Sequence, residues 1–318
     1  MPSVELCARS LAASIVKARN SMSITEDWWL TEYEEEIHDH LRAKEQQRAV
    51  FHAQSPQLHF RQFLVDWLVD ICKRRNLSTP VQHLSIYLLD YFMDNHSIQR
   101  EQLQLVTLGC LLVAAKFEEK DSLIPKTSEL NQTVDNLYNL HEFVQMELAL
   151  VEFFHWDLMV PTTAHFVEYY EHYCVCTTDF HAGQPLPALP KARVCAQHYN
   201  DYFLDLSIRV ACKFCFVDHT FLQFPPSMVA AAIIAATRMC LLISPAWPRF
   251  LQKLTYYTSE ELSPCIEIML RLLEAEERNS TEKTSVIKKV AQPSETDSSD
   301  SLKSSPTSVS SLSFEFDR

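Results

Sequence analysis

The sequence predicts an all-α protein built as two consecutive helical units, and three observations carry that reading. The first is periodicity: in Phe60–Ile71 (FRQFLVDWLVDI) the apolar side chains of Phe60, Phe63, Leu64, Trp67, Leu68 and Ile71 follow i, i+3, i+4, i+7, and Val65, Val69 and Cys72 widen the stripe. The second is composition: 318 residues contain only two glycines, Gly109 and Gly183, too few for the turns and bulges of a β-rich fold. The third is a recurrence of pattern after Pro161. There FPPSMVAAAIIAATRMC parallels the small-residue run around Gly109, and EELSPCIEIMLRLLEAEE parallels Leu140–Phe154. At 47% hydrophobic, the chain has enough apolar surface for two cores of ordinary size.

The same composition excludes function classes. Phosphate-cradling loops and dinucleotide fingerprints need closely spaced glycines, and none occur. A formal charge of −13 opposes nucleic-acid binding. No apolar run reaches the ~20 residues of a membrane span, since MVAAAIIAATRMCLLI is interrupted by Arg238. Arg9 and Lys17 do not form a signal-peptide layout. An intracellular protein of nucleus or cytoplasm is expected, with its ten cysteines reduced. Cys212 and Cys215 have CxxC spacing, and His172, Cys174 and Cys176 lie upstream. The CxxC falls inside the helix-like run IRVACKFCFV, where cysteine behaves as a small apolar residue. Core packing is therefore preferred to a zinc site, and no metal or cofactor is expected.

In chain order, Met1–Ser23 shows no period and is expected to fray. A helix opening at Thr25-Glu-Asp-Trp28-Trp29 runs to about Gln47, with Trp29, Tyr33, Ile37, His40 and Leu41 on one stripe. Its His38-Asp39 dyad invites a metal phosphohydrolase reading. Further ligands at convincing spacing are lacking, so the dyad is assigned to the solvated surface. The Phe60–Arg75 helix has only Gln62, Asp66, Asp70 and Lys73 as a wet edge, which places other helices around it. Arg61 falls within its apolar arc; a guanidinium cannot shed its charge, so a carboxylate must meet it. The next apolar run, LSIYLLDYFM (Leu84–Met93), holds a single acid, which predicts a buried Arg61–Asp90 pair.

Asn76–Pro80 breaks that helix and starts a second, which runs to about Asn95. The third spans about Arg100–Glu118, and small residues there, Gly109, Cys110, Ala114 and Ala115, let neighbours approach closely. Lys126–Val134 reads as a marginal helix, and Leu140–Phe154 as the fifth, with Phe143, Met146, Leu150 and Phe154 inward. After Pro161 come a mobile proline-rich loop, Thr177–Pro190, and helices at about Lys191–Ser207, Phe221–Ile243 and Ser259–Glu277. From Asn279 the composition turns to Ser, Thr, Lys and Glu, predicting a disordered tail with one weak proline-directed phosphorylation signal, Ser305-Pro306. The resulting organisation is a flexible 1–22, a first unit 23–160 with its preceding helix, a second unit 161–278, and a tail 279–318.

FRQFLVDWLVDI, LSIYLLDYFM and LQLVTLGCLLVAAKFEEK (Leu103–Lys120) resemble, in order and spacing, the first three helices of the cyclin box. Within the cyclin family the likeness is greatest to J-type members, and YEEEIHDHLRAKE resembles the helix that precedes the box and packs against it. The resemblance implies two tandem five-helix cyclin folds in a non-catalytic subunit that activates or targets a cyclin-dependent protein kinase in cell-cycle control. It further implies that Lys116, Phe117, Glu118 and Glu147 meet the kinase. Phe60, Phe63, Leu64, Trp67, Asp70 and Gln104 would receive Arg-x-Leu motifs of substrates. The sequence departs from that pattern at two positions, which implies an altered motif preference: Phe60 replaces a methionine, and Arg74 beside Lys73 replaces an acid that would greet the motif's arginine. Neither a destruction-box arrangement nor a Lys-Glu-Asn triplet is present. The rival readings are a cyclin-fold transcription factor and a scaffold that no longer activates a kinase.

Overall fold

Helix boundaries follow local chain chemistry. A computed structural model of the chain describes residues 31–48, 51–176, 178–186, 202, 205–210 and 220–290. The first unit holds α2 (Arg61–Arg75), α3 (Thr79–Asn95), α4 (Leu103–Glu118), α5 (Thr127–Asn131) and α6 (Leu140–Phe153), preceded by α1 (Glu34–Glu45). Asn76, in the left-handed region at φ 56°, ends α2, and Leu77 N–H returns to the Cys72 carbonyl at 3.0 Å. Pro80 sits in the first turn of α3, where its missing N–H leaves nothing unsatisfied. A reciprocal box starts α6: Asn139 accepts from Glu142 N–H at 3.0 Å, and Glu142 accepts from Asn139 N–H at 2.8 Å.

The second unit holds α7 (Thr163–Glu171), α8 (Pro226–Cys240), α9 (Arg249–Thr255) and α10 (Ser259–Val290). Part of the predicted loop is ordered into a short hairpin, β1 (Phe180–His181) and β2 (Gln184–Pro185), and β3 (Ile243–Ser244) pairs with β1. Gly183, at φ 79°, makes the turn that a side chain would strain. α10 continues past Glu277 into the segment assigned to a disordered tail, and its buried residues Leu262, Cys265, Ile266, Met269 and Leu273 lie in its first half. Trp29, the 1–22 segment, Cys212, Cys215, most of 191–207 and Ser305-Pro306 lie outside the described residues.

Two separate apolar cores result, one per unit. In the first, α4 and not α2 is the surrounded helix: Leu105 to Ala115 are buried without a break, and α4 packs against α2, α3 and α6. Gly109 makes the α4–α6 approach possible, since a Cβ there would stand 2.8 Å from Met146 Cγ and 3.0 Å from Leu150 Cδ1. In the second, Ala-rich α8 takes the same place against α7.

The helix preceding the box docks on the second unit. Leu41 joins the second core, Glu45 accepts from Ser227 N–H at 2.9 Å and Oγ at 2.7 Å, and Arg42 donates to the Thr255 carbonyl at 2.9 Å. The expected stripe is rotated accordingly: Tyr33 and His40 are exposed, while His38 is 2% exposed and its Nε2 meets the Tyr170 hydroxyl at 3.0 Å. The surface assignment of His38 is thus corrected, because the partner that buries it lies far along the chain and leaves no trace in the acidic local sequence.

Gly109→Val is expected to overpack the α4–α6 contact, costing about 1–3 kcal/mol, read as a lower urea midpoint. Burial, helped by the nearby Arg42 charge and opposed by Asp39, lowers His38 to about 4. The unfolded chain therefore takes up the proton first, and stability falls as pH drops from about 6.5 toward 4. Relative to pH 7, wild type should lose roughly 2–3 kcal/mol more at pH 4.5 than His38→Phe does; equal losses in urea titrations would refute this.

Candidate functional site

The framework that positions the surface is an ion pair inside the first core. Arg61, 1% exposed, donates from Nε to Asp90 Oδ1 at 2.6 Å and from Nη2 to Oδ2 at 2.7 Å, fixing the start of α2 against α3. A second buried arginine, which the sequence analysis noted only as an interruption, does the same work in the second unit. Arg238, 0% exposed, forks onto Asp179 at 2.9 Å through both terminal nitrogens and also donates to the carbonyls of Ala246, Pro245 and Cys174. The available signal was the one used for Arg61, a lone guanidinium within an apolar run. Its acid sat in a loop where no pattern singled it out.

On the rim, the end of α4 and the middle of α6 come together: Lys116 Nζ forms a hydrogen-bonded ion pair with Glu147. An exposed pair of this kind adds about 0–1 kcal/mol to stability, so the fold has little need of it. Around it stand exposed apolar side chains. Phe117 follows Lys116, while Leu140, Val144 and Leu148 recur every four residues along the outer face of α6, Leu140 being 67% exposed. Trp156, just beyond α6, is 71% exposed. Sequence inspection missed this outer stripe because it looked for one inward face on α6.

Glu118 is placed differently from its neighbours. Its carboxylate meets His165 Nε2 at 3.2 Å, tying α4 to the second unit, and His165 Nδ1 bonds the Thr162 hydroxyl at 2.9 Å. Burial lowers the basicity of His165, but the Glu118 bond and charge outweigh it, so the ring titrates above its ordinary value. Glu119 accepts from Ser78 N–H at 2.5 Å and closes the first turn of α3.

The patch residues on α2 and α4 divide by exposure. Phe63 is 55% exposed, Phe60, Trp67 and Gln104 are half-buried, and Leu64 is a core residue that can only floor a patch. Asp70, the remaining acid, is engaged by Arg74 at 2.8 Å one turn on, and Arg100 lies over the Phe60 ring at 5.4 Å. Both put positive charge beside the patch.

Among the described residues no cluster of His, Cys, Asp or Glu is arranged to hold a metal ion. Burial pushes the Cys72 thiol up to about 12, and those of Cys110 and Cys174 well above their usual value, which keeps them protonated core groups. No described helix is long and apolar enough to cross a membrane.

Comparison with known proteins identifies the family. The family model for the cyclin N-terminal domain matches residues 33–159, and that for the cyclin C-terminal domain matches 161–304. Cyclin-J of Xenopus laevis is 41% identical over 76% of this chain and 62% of its own length. Cyclin-J of Homo sapiens is 38% identical over 78% of this chain and 63% of its own length. Cyclin-A1 of Mus musculus is 31% identical over 74% of this chain and 51% of its own length. The chain thus spans less than two-thirds of the curated relatives it matches. A viral cyclin from herpesvirus saimiri superposes with TM-score 0.55 at 14% identity, covering 73% of this chain and 94% of that one, a likeness of fold alone. Two family models abutting at Pro161, over two helical cores each clamped by a buried arginine, make this chain a member of the cyclin family.

Proposed function

We propose that the chain is the regulatory subunit of a cyclin-dependent protein kinase and receives the kinase's regulatory helix on the rim formed by α4 and α6. The observation that carries this reading is the exposed Lys116–Glu147 pair set among Phe117, Val144 and Leu148. A charged centre within an apolar surround gives register through the ions and affinity through the surround. Docking would favour the kinase arrangement in which its own Lys–Glu pair and metal-binding Asp are assembled. The subunit contributes no reacting group; it shifts a population. Glu118 supports the rim from behind, through His165, and belongs to the tie between units.

Substrate recruitment through the α2 patch would have an altered preference. With Asp70 engaged by Arg74, the arginine of an Arg-x-Leu motif meets a neutralised acid beside extra positive charge.

Lys116→Ala/Glu147→Ala is expected to lose kinase co-purification by at least about tenfold, the equivalent of 1.4 kcal/mol, with its far-UV dichroism intact; retained binding overturns the assignment. A kinase assay on the wild-type complex separates activation from scaffolding. In a competition assay, an Arg-x-Leu peptide should bind Arg74→Glu more tightly than wild type, and equal affinities would remove the patch from the account.

A further inference from the structure

Two hollows among the described residues lie apart from the rim and the α2 patch. The larger, about 510 Å³, lies in the seam between the units, where α3 faces the start of α7 and the turn leading into α8. The smaller, about 440 Å³, continues along α3 toward the end of α6. They share one wall, formed by Arg48, Tyr87 and Tyr91. The two tyrosine rings stack at 5.8 Å with 6° between their planes, and the Arg48 guanidinium lies over Tyr87 at 4.8 Å.

The larger hollow is lined by the aromatic rings of Phe51, Phe221 and Phe224 besides the two tyrosines, and its polar lining includes His83, Thr162 and Thr163. His83 is 6% exposed and its Nε2 has no hydrogen-bond partner. A buried ring nitrogen left unmatched disfavours the empty state and rewards a ligand that supplies the missing group. Burial keeps this imidazole neutral, so Nε2 is a donor or an acceptor according to tautomer. A phenolic hydroxyl complements both. Fixed charges are balanced along the two hollows, Lys44, Arg48 and Arg61 against Glu45, Asp90 and Asp157. A dianion would therefore find no net positive charge there to offset its desolvation, and it would approach a chain of formal charge −13.

We infer that this seam is a second docking site, which binds an extended segment of a partner protein by inserting an unphosphorylated tyrosine into the larger hollow while the following residues lie in the smaller. Two hollows that share a wall suit an extended chain better than a compact metabolite. The planar anchor packs between aromatic walls, and its hydroxyl reaches His83. The site goes beyond the proposed kinase contact and does not depend on it.

A random peptide library with one fixed tyrosine, panned on the full chain, tests the site. Enriched peptides should lose about tenfold in affinity, the size of one buried hydrogen bond, when the tyrosine becomes phenylalanine, and more when it is phosphorylated. His83→Leu should reproduce the loss while His83→Asn, which still donates and accepts, retains part of the binding. Thr163→Trp should fill the hollow and abolish binding without touching His83, each variant being checked for unchanged dichroism. Lys116→Ala/Glu147→Ala should leave these affinities as they are, which separates this site from the kinase rim. Failure to enrich any peptide, or binders indifferent to tyrosine→phenylalanine or to Thr163→Trp, would overturn the inference.

Discussion

Arg61 and Asp90 impose the constraint to which the first unit conforms. A guanidinium cannot neutralise itself on burial, so α2 and α3 must meet with these two side chains in register or leave a charge stranded, at about 3–5 kcal/mol. Apolar packing alone would tolerate small slides of α2 along α3; two directional bonds of 2.6 and 2.7 Å do not. The second unit solves the same problem with different chain segments. Arg238 projects from α8 and gathers the loop after α7, Asp179 of the hairpin and the turn after β3. Each unit is thus held by one buried cation, but the acid comes from a helix in one and a loop in the other.

The units are joined by contacts of a different kind. α1 precedes the first unit in sequence yet inserts Leu41, His38 and Glu45 into the second, while its Lys44 reaches back to Asp157 beyond α6 at 2.7 Å. Glu118–His165 adds a tie from the end of α4 to α7. α1 and α4 therefore bridge what would otherwise be two independent cores, and the seam they leave between them is where the aromatic hollows open. A neutral His38 and a readily protonated His165 pull the pH dependence of the assembly in opposite senses, since the first loses stability on acidification and the second on alkalinisation.

Much of the first unit was legible because its signals are local or one step removed. Apolar patterning located α2, α3, α4 and α6, Asn76 and Pro80 marked the break between α2 and α3, and Arg61 found its partner because the next apolar run offered a single acid. Lys116 and Glu147, which pair in the structure, were singled out by likeness of motif, and their neighbours Leu140 and Val144 were not, since an outward apolar stripe looks like noise when one face is sought. What stayed hidden depended on distant contacts. His38 reads as surface within EEEIHDH until Tyr170 is brought against it. Leu64 reads as patch or core alike until α4 covers it. The hairpin at Phe180–Pro185 is too short for any period to announce it.

α6 supplies the last step in linking fold to function. Its inner residues, Phe143 and Leu150, are buried, and Gly109 lets Met146 seat against α4. Its outer residues, Leu140, Val144 and Leu148, are as apolar and face water. A helix apolar on both sides ordinarily lies between two others. Among the described residues no second helix covers the outer side, and the exposed stripe is flanked by an ion pair of little value to stability. Burying these side chains with a partner helix would complete the sandwich begun by α4. The close packing at Gly109 holds α6 in the orientation that leaves them outward.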